Sequence, residues 1–100
     1  MREIHTTCKD KKEAEKIAKI LLTKKIAACV NYFPVNSMYL WEGKIEKSSE
    51  YLLLIKTSSK NKKKAIETIS SNHSYELPVI SSATIKSTKA AEEWINNSVC

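Results

Sequence analysis

Gly43 is the only glycine in this chain of 100 residues, and it separates two long β-rich runs, Ile26 to Trp41 and Ile45 to Thr57. A turn residue between runs rich in β-branched and aromatic residues is a hairpin signal. The runs are too long for the domain that carries them. An extended strand rises about 3.3 Å per residue, so the first run would span roughly 50 Å, whereas a compact hundred-residue domain has a radius of gyration of ~13 Å. The hairpin must therefore bend, break or protrude. Pro34 lies midway through the first run, where it cannot donate to a ladder, and so marks a bulge, a bend or an edge position. Any part that outruns its own core leaves backbone groups and apolar side chains in need of cover. Another subunit is the expected cover.

The length suits one domain over residues 1–100, and 42% hydrophobic residues suffices for a small core. No apolar stretch reaches the roughly 20 residues of a membrane span, and no signal-like apolar region follows Met1. A cytoplasmic protein with no membrane association is expected. Cys8, Cys29 and Cys100 form an odd set without a CxxC pair, which fits reduced thiols. The net charge of +6 comes almost wholly from lysine, Arg2 being the only arginine. That argues against a nucleic-acid partner, since base and phosphate recognition favours the arginine fork. Lys60, Lys62, Lys63 and Lys64 read as a solvated helix face rather than an anion dock.

Local signals set the element order. Glu3 to Cys8 reads as a short opening strand. Asp10 followed by Glu13 resembles a capping box, and Ala14, Ile17, Ala18, Leu21 and Leu22 repeat at helical spacing, predicting a helix from about Lys11 to Lys25. Ser58 or Ser59 is expected to cap a second helix, with Ala65, Ile66 and Ile69 as its apolar stripe. Pro78 stops helix continuation, Val79 to Ile85 reads as a strand, and Thr88 caps a last helix carrying Ala91, Trp94, Ile95 and Val99. The order β, α, β, β, α, β, α predicts an α+β fold: a ferredoxin-like βαββαβ with an extra C-terminal helix and a long central hairpin. Two helices would cover one sheet face and leave the other open to a partner.

Four stretches carry a family resemblance: Ile26 to Asn31 with Pro34; Tyr39 to Glu46; Leu52 to Thr57; and His73 to Pro78. In these the chain resembles the CutA family, the divalent-cation tolerance proteins. The resemblance implies a ferredoxin-like subunit in a tight, PII-like homotrimer, associated with copper or another divalent cation. The family's copper site uses a cysteine near the end of the first strand and two adjacent histidines after the second helix. The corresponding positions hold Thr6, Asn72 and His73, so one histidine survives. Cys8 lies two residues beyond the first position and, by the strand period, can face the same side.

His73 and Cys8 are therefore the candidate metal ligands. His5 and Cys8 differ by an odd number, so on a regular strand they point to opposite faces and make a poor chelate. The bland alternative for His73 is a helix C-terminal partner, where the macrodipole favours a protonated ring. Cys29, beside Ala28 and Val30, reads as core packing, although it also falls in a matching stretch. Cys29, Trp41, Glu46, Lys56, Tyr75 and Glu76 are the candidates for an intersubunit cleft. For Trp41 and Tyr75 the competing role is that of interface anchors. Catalysis has little support, because one glycine cannot build a phosphate loop and no HExxH is present. An arginine phosphate cradle on this fold is equally ruled against by a single terminal arginine.

Two functions follow. The first is a non-enzymatic homotrimer that binds divalent cations, copper among them, and serves metal tolerance. The alternative is a PII-like signalling adaptor that binds a small anionic metabolite in intersubunit clefts and engages a separate protein partner.

Overall fold

The computed structural model describes residues 1–100. Its elements are β1 (Arg2–Cys8), α1 (Lys11–Thr23), β2 (Cys29–Trp41), β3 (Lys44–Thr57), α2 (Lys62–Asn72), β4 (Ile80–Thr84) and α3 (Lys89–Ser98). A 3-10 turn over Ser59–Asn61 precedes α2. All pairings are antiparallel, in the order β2-β3-β1-β4.

The hairpin protrudes. β1 pairs with β3 only from Tyr51 to Thr57, so Lys44–Glu50 and its partner Val35–Trp41 run past the sheet with no third strand. Seven paired residues at ~3.3 Å each make an arm of roughly 23 Å. The arm accounts for a long axis of 45 Å against 24 and 21 Å, and for a radius of gyration of 14.1 Å. Pro34 neither breaks nor bulges the ladder, because the register runs uninterrupted from Cys29↔Lys56 to Trp41↔Lys44. It sits on an edge strand. Counting back from the turn, Pro34 falls in a non-hydrogen-bonded pair with Tyr51, where the missing N–H would have faced the free edge. The turn itself has Glu42 at φ 50° and Gly43 at φ 77°, the two positive values that a type I′ turn demands.

The period-two pattern assigns the faces. Ile4, Thr6 and Cys8 of β1 and Leu53, Ile55 and Thr57 of β3 are buried against Ala14, Ile17, Ala18 and Leu21 of α1 and Ala65 and Ile69 of α2. Each fully buried Leu or Ile contributes about 1.5–3 kcal/mol of transfer free energy. The opposite face carries Glu3, His5, Thr7, Leu52, Leu54 and Lys56, all half-buried at most.

Several local expectations are corrected. Neither Ser58 nor Ser59 caps α2 through its side chain. The 3-10 turn intervenes, Asn61 stands at the helix start, and Ser58 Oγ is buried without a partner. α1 ends at Thr23, two residues short of the expected end, because Lys25 takes φ 55°. Trp94 is 52% exposed although it lies beside Ile95, which is 2% exposed, so α3 buries a narrower stripe than its sequence offers. Thr88 does cap α3, accepting from the Ala91 N–H.

Candidate functional site

At the junction of β1, α1 and the segment after α2, three side chains of different chemistry converge. Ligand atoms of Cys8, Glu13 and His73 lie within 4.8 Å of one another. Cys8 arrives at the end of β1, on the helix-covered face that Thr6 also occupies, as the strand period predicts. His5 is on the other face, with Nε2 2.7 Å from Glu3 Oε1. His73 follows the last residue of α2 in an extended conformation, and its side chain is fully buried.

Glu13 joins these elements. Asp10 Oδ1 accepts from the Glu13 N–H at 2.8 Å, as an N-cap should. The reciprocal half of the capping box is redirected: Glu13 Oε1 accepts from the Lys9 N–H at 3.4 Å, and Oε2 accepts from the Ser74 N–H at 3.0 Å. One buried carboxylate thus ties the start of α1 to the turn beyond α2. The sequence showed Glu13 only as a capping residue, since nothing local points to Ser74.

The hydrogen bonds of His73 fix its tautomer. The Tyr75 N–H can only donate, so Nδ1, 3.1 Å away, accepts. The proton is on Nε2, which donates to the Thr7 carbonyl at 2.8 Å. Neither ring nitrogen bonds a carbonyl of α2, so His73 is not the helix C-terminal partner that its position suggests. Nδ1, the lone-pair side, lies 3.9 Å from Glu13 Oε1. Anchoring of Nε2 to a backbone carbonyl is the usual outer-shell arrangement of metal-binding histidines, but here Nδ1 can ligate only by giving up the Tyr75 N–H.

Burial, followed by the carboxylates of Glu13, Asp10 and Glu50, pushes the Cys8 thiol up to about 12. The folded chain holds a proton that the unfolded thiol releases at ~8.5. The stability from this group is therefore full below about pH 8.5 and is lost as pH rises towards 12. Urea midpoints measured at about pH 8 and pH 11 should fall with pH in the wild type and fall less in Cys8→Ala. Equal slopes would remove Cys8 from the balance.

A second buried carboxylate escaped sequence reading altogether. Glu50, 9% exposed at the root of the arm, accepts from Tyr75 Oη at 2.6 Å. Burial raises its pKa, but hydrogen bonds from Ser37, Tyr75 and Thr7 outweigh that and hold it below the usual range, while burial and the same bond push the Tyr75 phenol up. Glu50 reads as an arm residue among exposed neighbours until the turn after α2 folds over it.

The six cleft candidates fall in three places. Cys29 and Lys56 pair at the base of the hairpin, where Lys56 Nζ donates to Asn31 Oδ1 at 2.6 Å and Cys29 Sγ lies 3.8 Å from the same atom. Cys29 is half-buried on the open face, a correction to core packing, because β2 turns its odd residues away from the helices. Trp41 and Glu46 are exposed near the tip, and Tyr75 and Glu76 lie in the turn after α2. Twelve residues of strand, roughly 40 Å, separate Cys29 from Trp41. A single chain does not bring the six together.

An open groove of about 750 Å³ runs between the start of α1 and the end of α2, with Glu13 and His73 in its wall. No helix is long and apolar enough to cross a membrane.

Comparison with known proteins places the fold. A divalent-cation tolerance protein CutA of Archaeoglobus fulgidus is 41% identical over 96% of this chain and 95% of its own length. A chloroplastic CutA 1 of Oryza sativa is 34% identical over 95% of this chain, which spans only 55% of that relative. The solved Archaeoglobus structure, described as a periplasmic divalent cation tolerance protein, superposes with a TM-score of 0.94 at 40% identity, covering 98% of both chains. CutA1 from Pyrococcus horikoshii superposes with a TM-score of 0.95 at 30% identity, over 100% of this chain and 99% of that one. These matches favour the cation function over the signalling adaptor. The model of the CutA1 divalent ion tolerance protein family matches residues 3–98, and the chain belongs to that family.

Proposed function

We propose that this protein is a non-enzymatic homotrimer of ferredoxin-like subunits that binds a divalent cation through Cys8, Glu13 and His73. The observation that carries the reading is the convergence of thiol, carboxylate and imidazole within 4.8 Å beside a solvent-open groove. Thiolate and imidazole donors suit zinc and copper, the thiolate favouring reduced copper. A bound ion would replace the Tyr75 N–H at Nδ1 and release the Cys8 proton, so affinity should rise with pH. The second part of the reading is the trimer, supported by an arm whose cleft residues lie too far apart to meet within one chain. Three free cysteines support a reducing, cytoplasmic setting.

The test is a zinc titration in a Cys100→Ser background, zinc being redox-silent. One ion per chain is expected, with stoichiometry lost in His73→Ala and in Cys8→Ala. Unchanged uptake in both variants would sink the site.

A further inference from the structure

The groove that leads to Glu13 and His73 is rimmed by Lys9, Lys12 and Lys16. None of these ammonium groups is ion-paired; the one close charge contact in the groove joins His73 to Glu13. The two carboxylates of the groove, Asp10 and Glu13, are already engaged by backbone N–H groups. Backbone N–H donors leave both carboxylates charged, so the wall carries a small positive excess, and its three unpaired ammonium groups at the rim are free to hold an anion.

Size points the same way. A groove of about 750 Å³ falls among small-molecule sites of roughly 300–1,000 Å³, whereas a single water occupies only about 30 Å³. We infer that the groove receives its cation as a complex with a small anionic chelator bearing two or more carboxylates. The cation meets Cys8, Glu13 and His73, and the remaining carboxylates rest on Lys9, Lys12 and Lys16. This inference rests on the cation-binding reading above. It assigns the lysines a role that no ligand count would reveal, because they hold the carrier and not the ion.

Equilibrium dialysis of the full chain, as Cys100→Ser, against zinc with labelled citrate tests it. Zinc and citrate should be retained together, one of each per chain, and citrate without zinc should be retained at least tenfold less. In the Lys9→Gln, Lys12→Gln, Lys16→Gln triple variant, citrate retention should be lost while zinc is still taken up in non-chelating buffer, because the lysines hold the carrier and not the ion. Zinc retained without citrate, or citrate held equally with and without zinc, overturns the inference and leaves the cation site standing. Failure of the wild type to retain zinc in either buffer overturns both. Far-UV circular dichroism of the triple variant confirms that it is folded.

Discussion

Replacing Leu40 and Ile45 together by glutamate should reduce the particle mass from that of the proposed trimer, three times the 11.3 kDa chain, to a single chain. These residues face each other across the arm and are 76% and 70% exposed. Met38, 65% exposed, shares their face, while Tyr39 and Trp41, at 45% and 55%, lie on the other. The end of the arm thus carries exposed apolar side chains on both faces, and a two-stranded ribbon alone is marginal in water. Contiguous apolar surface of this kind marks an interaction site. Two adjacent carboxylates would bring unpaired charge into the covered surface, at a cost of several kcal/mol per charge. Light scattering at micromolar concentration reads the outcome. A retained trimer would show that the tip is not in the interface, and a monomeric wild type would remove the assembly itself.

The second large effect is expected at Glu13. Glu13→Ala should destabilise the fold by about 3 kcal/mol, because the Lys9 and Ser74 N–H groups lose a buried acceptor worth about 1–3 kcal/mol each. Glu13→Gln keeps one acceptor oxygen and should lose about half as much. For a domain of this size the alanine variant should melt roughly 12–24 °C lower. Chain concentration must be matched between variants, since assembly shifts apparent stability by mass action. A loss below about 1 kcal/mol would mean that water replaces the carboxylate and that the groove, not the latch, accounts for Glu13.

Whether Glu13 serves the fold or the cation is separable by the same variants. Glu13→Gln retains much of the latch but offers a neutral oxygen to an ion, so its zinc affinity should fall further than its stability. The Cys8 thiol connects the two roles, because the carboxylate that holds Ser74 is also among the groups that keep Cys8 protonated.

Much of the architecture was legible from local pattern. The spacing of Ala14, Ile17, Ala18 and Leu21, the caps Asp10 and Thr88, the single glycine and the period-two strands each depend on nearest neighbours along the chain, and all appear where expected, whereas Leu22, the last member of the same stripe, is exposed. The protruding arm is the same kind of inference, since strand length is a local quantity that a small core cannot contain. His73 and Cys8 could be named from sequence because of the family resemblance, His73 at a matching position and Cys8 two residues beyond one. Their meeting could not, being set by how β1, α1 and the turn after α2 pack. Glu13 looked like an ordinary helix-start carboxylate, and Glu50 like one more charge on an exposed strand. Each is buried by a segment at least 25 residues away, Ser74 and Tyr75, whose approach no periodicity encodes. Cys29 and Trp94 went astray for a related reason: composition tells which residues favour burial, but only register and helix docking decide which face is covered. The sequence by itself thus determined the elements, their order and the outsized hairpin around Gly43, because these follow from short-range backbone preferences. The tertiary structure alone decided the candidate site, because a ligand set is a distance between distant parts of the chain.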